Sequence, residues 1–528
     1  MILHYRARSK LPRPSGTEKT GRDIRPALIL GLTSLSLSGL AFAQPLPRDA
    51  PQDTGGPNGL SITPAVGISQ LYTQNQTGTG SSQPQFVTQL TPSISVSGET
   101  ARAKIDFNYQ PTFNHFDNGD SKDRIDQNLN TDGEISPIPD TLTVKFQGFA
   151  NTADASGNAS NQQGILVPTN NRILYYIGNV SPRYQQNFSD IATLEVNYSV
   201  NSTNTSVEGD KLPGLGINST NSLGQTALVS IGSAESFGRL GVRADFSHNT
   251  NSGSGMNTQS TSGVDTVTVS YHINRNFYIS GSIGYQSIDY PDNGVANPGY
   301  RSDGVTWTLG LTITPNDLST IALGYGKQQG AYNPSIQVGY ALGPRTNISA
   351  SYLVTVQNQL TATLQNLKYL VYDQFGNPID SRTGLPFSAV NQTFGSQNIL
   401  FRDKPALVSI SHQFTRSALT LTGQYEVRNS LSGVQTNTEV LGATINYSRQ
   451  FSPLVQGNVN LGYTQAQTRT FGASDNRARS YSLSGQLLYN LSDTTSINVV
   501  ENLFRTINND SQNNSLTQQL SIGLRKSF

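Results

Sequence analysis

From Ala101 to Phe113 the chain reads Ala-Arg-Ala-Lys-Ile-Asp-Phe-Asn-Tyr-Gln-Pro-Thr-Phe. The odd positions Ala101, Ala103, Ile105, Phe107, Tyr109, Pro111 and Phe113 are apolar. The even positions Arg102, Lys104, Asp106, Asn108, Gln110 and Thr112 are polar. Successive side chains of a strand point to opposite faces, so this stretch predicts a strand with one apolar and one polar face. The pattern recurs to the end of the chain. Leu240, Val242, Ala244 and Phe246 alternate with Gly241, Arg243 and Asp245, and Val305, Trp307, Leu309, Leu311 and Ile313 alternate with Thr306, Thr308, Gly310 and Thr312. Each run spans about 9–13 residues, the length of a tilted strand that crosses a bilayer.

Composition explains why the apolar face needs a partner other than a packed core. Of 528 residues, 35% are hydrophobic and 13% charged, with no Cys and a net charge of +1. Ser, Thr, Asn and Gln supply roughly 37%, well above the share of an ordinary soluble domain. Zero Cys excludes disulfide scaffolds, thiolate metal sites and thiol nucleophiles. The near-zero charge gives no basic surface for nucleic acid. The abundance of Tyr (23) and Phe (20) opposes disorder.

The N-terminus carries an export address. A basic segment leads into Ala27–Leu40, then Ala41-Phe42-Ala43-Gln44. A basic segment, a short apolar stretch and A-x-A make a secretory signal, cleaved between Ala43 and Gln44. The expected organisation is a signal peptide over 1–43, a short periplasmic tail over 44–59, and a barrel over 60–528.

Tight turns at residues 98–100, 139–140, 236–238, 274–276, 315–317, 343–345, 415–417, 450–453 and 492–494 alternate with mostly longer polar connections, such as 151–170, 202–222, 249–262, 291–303 and 357–403. Short turns on one side and long loops on the other are the asymmetry of outer-membrane barrels. The fold expected is all-β: a transmembrane antiparallel up-and-down barrel of about 22 strands, within a range of roughly 20–24. Aromatics fall into two sets: Tyr109, Tyr198, Phe246, Tyr285, Tyr325, Tyr352, Tyr425 and Tyr463 near the outer strand ends, Tyr271, Tyr340, Phe414, Tyr447 and Tyr489 near the inner ones. These are the interfacial girdles of such a barrel. The terminal Phe528 resembles the insertion signal read by the barrel-assembly machinery, with Lys526 where that signal usually has an apolar residue. The expected location is a Gram-negative outer membrane, with its lipid and that machinery as partners.

The polar face then lines a lumen, for example Ser280, Ser282, Thr420, Thr422, Asn458 and Asn460. Ten charges depart from this neutral wall: Arg102, Lys104, Asp106, Lys145, Glu195, Arg239, Arg243, Asp245, Glu426 and Arg428. They form an eyelet, or they pair across neighbouring strands; both readings stay open. The loop 357–403 is the candidate constriction, and its Leu360–Tyr372 segment has helical apolar spacing. Gln44 to Gly59 is too short for the globular plug of a TonB-dependent transporter. His115, His248, His272 and His412 are scattered, without metal-ligand or triad spacing, so no catalytic, metal or cofactor residue is assigned.

Several segments resemble one family: Leu90–Ser95 with Ile105–Tyr109, Ser280–Tyr285, Gly304–Leu311 and Leu342–Tyr352. They resemble the outer-membrane β-barrels of PEP-CTERM/exosortase and exopolysaccharide loci. That resemblance implies a porin-like protein linked to surface polysaccharide, with polysaccharide or polysaccharide-export proteins as partners. The function expected is a channel for exopolysaccharide or neutral hydroxylated solutes. A non-conducting structural or assembly barrel that binds partners is the alternative, and a barrel enzyme a second one.

Overall fold

A computed structural model of the chain describes residues 59–77, 80–81, 84–117, 122–154, 172–208, 220–233, 238–253, 259–292, 299–358, 362, 365, 369–372, 378–380, 400–431, 436–470, 475–509 and 514–528. The signal-peptide reading over 1–43 and the tail over 44–58 lie outside them. The described chain is a closed antiparallel barrel of 22 strands. Four of these strands are interrupted along their length: 80–99, 103–116, 124–138 and 346–358.

Each strand pairs with its neighbours in sequence, as hairpins demand. The wall closes where Leu60–Thr77 pairs with Ser515–Ser527, in register from Ala65↔Ser527 to Thr77↔Ser515. The amide of the terminal Phe528 donates to the Pro64 carbonyl at 2.9 Å, so the last residue is stitched into the seam. Lys526 faces outward with its ammonium 5.7 Å from the Phe528 ring. At the inner rim a lysine can bury its stem and keep its charge wet, which reconciles it with an insertion-type terminus.

Short connections lie on one side, where the chain ends are. They include a turn after Phe188 that the sequence patterning does not signal; Ser189 there takes φ 50°, and Asp140 takes φ 59° in its own turn. Five inner turns carry a register shift, between Ile135/Ile138, Ile313/Asn316, Ala341/Gly343, Gln450/Ser452 and Asn490/Ser492. Bulges at barrel rims bend and twist the wall so that it can close.

The strands are longer than the alternation suggests. Leu60–Thr77 has 18 residues; Ala192–Glu208 and Tyr300–Asn316 have 17 each. Seventeen residues reach about 56 Å along the strand and about 43 Å in height at a 40° tilt, against an apolar band of about 25 Å. The wall therefore continues above the membrane: strands run on to Asp154, Glu208, Gly253 and Asn358 and resume at Thr220, Gln259, Tyr300 and Leu400, inside the loops expected at 151–170, 202–222, 249–262, 291–303 and 357–403. The helical reading of Leu360–Tyr372 fails at its end, because Leu370–Tyr372 pairs with Pro378–Asp380 as a short ribbon. Most of that segment lies outside the described residues.

The overhang keeps the period of two and reverses its sign. In Phe277–Tyr290 the outward residues Phe277, Ile279, Ile283 and Tyr285 are exposed apolar side chains. Above Tyr285 the outward side becomes Ser287 and Asp289, while Ile288 and Tyr290 turn inward and are buried. On the next strand the outward residues are Arg301 and Asp303, an ion pair at 2.8 Å, above Val305, Trp307 and Leu309. Lipid rewards apolar surface only at its own height. Above it the outer face meets water, and the inner face becomes the place where apolar side chains can be buried.

Candidate functional site

The middle of the lumen carries neutral pairs. Ser282 and Thr308, Ser409 and Thr422, and Ser484 and Asn502 meet there as hydroxyl and amide pairs. Near the periplasmic end the charges pair across strands: Lys104–Glu99 at 3.7 Å, Lys145–Glu134 at 3.3 Å and Arg183–Glu195 at 2.9 Å. Arg243 and Asp245 meet at 2.7 Å and share Ser230, whose hydroxyl donates to Asp245 at 2.5 Å. Asp106 stands opposite Asp132. Arg102 and Arg239 belong to inner turns, where their carbonyls accept from Ser136 and His272. Seven of the ten charges thus form ion pairs at several heights, while Arg102, Asp106 and Arg239 join none of them, and no single eyelet results.

The outer end of the lumen is built differently, on two sides of the barrel. On one side, Asp403 stands directly opposite Arg428 in the hairpin Leu400–Gln413/Ser417–Ser430. Arg428 Nε lies 2.7 Å from Glu426 and 3.6 Å from Asp403; its guanidinium caps the Phe401 ring at 4.5 Å. Gln357 donates to Asp403 Oδ2 at 3.1 Å. The side chains of Arg428 and Asp403 are 8% and 5% exposed. Asp403 sits above the outer aromatic level set by Tyr425, outside the membrane-spanning part. Its burial, reinforced by the Glu426 carboxylate, pushes its carboxyl up to about 8. One buried acceptor there, Gln357 Oε1, has no hydrogen-bond partner.

This group rests on a dry cluster. Leu400 packs with Ile288 and Tyr290, and Tyr300, Val356 and Leu431 lie against them. The hairpin Ser319–Gln328/Ala331–Gly343 makes this possible by being short. Its outer turn is only Gln329-Gly330, at φ 51° and 74°, the left-handed pair of a tight hairpin turn. The neighbouring wall leans across the notch. Gln329 exchanges hydrogen bonds with the Val356 backbone, its Oε1 accepting from the amide at 2.6 Å, and its own amide donates to Gln286 at 2.6 Å.

On the other side, Leu71, Val87 and Phe116 form a second dry cluster, with the Arg124 guanidinium 4.9 Å above the Phe116 ring. Asp126 takes Arg172 at 2.6 Å, Arg124 at 3.7 Å and the Asn114 amide at 2.9 Å. Arg172 is buried, and its Nε has no hydrogen-bond partner. Both groups repeat one design: an arginine over an aromatic ring, with a carboxylate beside it. Sequence reading singled out Glu426 and Arg428 but missed Asp403, Gln357, Phe401, Asp126 and Arg172.

The histidines stay apart. His115 bonds Asp123 at 2.8 Å on the outer rim, and His412 bonds Thr346 at 2.7 Å. Among the described residues no group of His, Asp or Glu could hold a metal.

No protein-family model matches the chain, and no curated protein matches it in sequence. Solved structures with a similar barrel include the FrpB iron transporter from Neisseria meningitidis (F5-1 variant), with TM-score 0.48 and 10% identity, covering 87% of this chain and 82% of that one. The ferric-catecholate import receptor Fiu from E. coli K12 gives TM-score 0.45 and 10% identity, covering 88% and 81%. The ferripyoverdine receptor of Pseudomonas aeruginosa gives 0.43 and 13%, covering 87% and 72%. The expectation of a pore for exopolysaccharide or neutral solutes is corrected here: these barrels are named an iron transporter, a ferric-catecholate import receptor and a ferripyoverdine receptor, and none is named as such a pore. The geometry supplies a physical reason for the correction. The neutral wall ends below the mouth, and the mouth is charged and aromatic. The chain is an all-β, closed antiparallel barrel of 22 strands, of the outer-membrane type.

Proposed function

We propose that the chain is a receptor-type barrel that binds a ligand at its outer mouth. The observation that carries this is the Asp403–Arg428–Glu426–Gln357 group: buried charge and an unpartnered acceptor, Gln357 Oε1, set on aromatic and aliphatic walls. Buried polar atoms without partners are costly, and a ligand with N–H or O–H donors relieves that cost. The ligands named for the similar barrels, ferric-catecholate and ferripyoverdine, enter only as the first compounds to try.

The test is chelate binding to the full chain in lipid vesicles, read by the fluorescence of its single tryptophan, Trp307, and by calorimetry. Saturable binding that weakens at least tenfold in Arg428→Met and Arg172→Met supports the reading. A large steady conductance in planar bilayers, with no binding of either chelate, overturns it.

We further infer export through a signal cleaved after Ala43, and delivery to the barrel-assembly machinery through the Phe528 terminus. The likeness of Ser280–Tyr285 and Leu342–Tyr352 to barrels of PEP-CTERM loci supports a family proposal that the neighbouring genes would test.

A further inference from the structure

On the outward face of Thr495–Asn508 the apolar series Ile497, Val499, Leu503 is broken by Glu501, which is exposed. Its directly paired neighbours are Gly485 on one side and Leu520 on the other, both on the lipid face. Tyr481 and Tyr489 mark the outer and inner aromatic levels of the adjoining strand, and Gly485 lies midway between them. Glu501 is therefore inside the lipid band. It takes part in none of the ion pairs of the described residues. The space in front of Gly485 is open, so a shallow notch adjoins the carboxylate. Across the barrel seam the outward face carries more polar groups, Gln518 and the hydrogen-bonded pair Gln70 and Thr88.

A carboxylate facing hydrocarbon is unfavourable unless a partner meets it. We propose that this patch docks a second, different membrane-embedded protein, which brings a lysine or arginine side chain to Glu501. Charge complementarity decides the occupant. Copies of this chain share one orientation in the membrane, so a neighbouring copy could offer only cations at the height of Glu501. Among the described residues the outward-facing cations lie at the rims: Lys526 and Arg449 at the inner one, and Lys327, Arg505, Arg301, Lys404, Arg469 and Arg479 at or above the outer aromatic level. None is at the height of Glu501. The notch at Gly485 lets a partner backbone approach closely, as small residues do at contacts within membranes.

The experiment places a photo-crosslinking benzophenone amino acid at Leu503, or at Leu487, in the full chain in its native outer membrane, with Val305 as a distant lipid-facing control. The expected result is an adduct at 503 and 487, not at 305, with a protein whose cross-linked peptide carries Lys or Arg in a membrane-embedded segment. The adduct should fall at least tenfold in Glu501→Gln and Glu501→Leu and persist in Glu501→Asp. Heat-modifiable mobility checks that each variant folds, and the isosteric Gln keeps the test open if Leu does not. Adducts with lipid only, with a second copy, with a peptide lacking a basic residue, or unchanged in Glu501→Gln would each overturn the proposal.

Discussion

Leu309 tests where the membrane lies on this wall. It is outward-facing, 61% exposed, and halfway between Val305 and Ile313 on one strand. Four residues separate it from each, about 13 Å along the strand and about 10 Å in depth at a 40° tilt. It thus sits close to the middle of the lipid band. Arginine at such a position costs about 2–4 kcal/mol, roughly a thirtyfold to several-hundredfold loss in the folding equilibrium. Asp303, six residues higher on the same face, lies above the outer aromatics and pairs only with exposed Arg301 and Ser287. Asp303→Arg should cost about 1 kcal/mol or less, the worth of an exposed ion pair. Urea titration of the refolded barrel in vesicles measures both, with Trp307 as the fluorescent reporter. Equal costs for the two variants, or a larger one for Asp303→Arg, would refute the placement of the membrane and the reversal of polarity above it.

Further outcomes concern the mouth. Arg428→Met leaves Asp403 and Glu426 buried without their cation and should destabilise the barrel by about 3–5 kcal/mol; the double variant with Asp403→Asn should recover part of that loss in the same titration. Because the Asp403 carboxyl is raised, the folded state holds its proton to higher pH than the unfolded one, so its contribution is most favourable below about pH 4 and is lost as pH rises toward about 8. Relative to Asp403→Asn, the wild type should therefore lose stability between pH 5 and pH 9, and parallel pH profiles would contradict this. Gly330→Val at φ 74° should cost about 1–3 kcal/mol through backbone strain alone, and should loosen the Gln329 contacts, seen as faster amide exchange at Val356.

The barrel was legible because a lipid band imposes one rule on every strand. Alternation located the strands, and the polar turn residues located the inner hairpins. The turn at Ser189 escaped because Phe188 and Ile191 leave only Ser189-Asp190 as polar turn residues, with neither Gly nor Pro beside them. The overhang escaped for a physical reason: beyond Tyr285 the apolar residues change sides, so a reading that assigns apolar to lipid stops at the girdle. The mouth group was only half visible. Glu426 and Arg428 stood out as charges, yet their partner lay near a long loop. Tight-turn register would have found it, since Asp403 and Arg428 are equally far from the turn centred between Thr415 and Arg416. Gln357, Phe401 and Arg172 needed three-dimensional placement, because no local spacing relates them.

The short hairpin ending at Gln329-Gly330 gives the tube a spout. A rim of uniform height would meet an arriving molecule the same way from every bearing. Here, among the described strands, one sector is cut low and its gap is bridged by the leaning strand end at Thr355–Asn358, whose Gln357 holds Asp403. Among the described strands the wall thus has one low sector, and the polar contact of Gln357 with Asp403 stands at its edge.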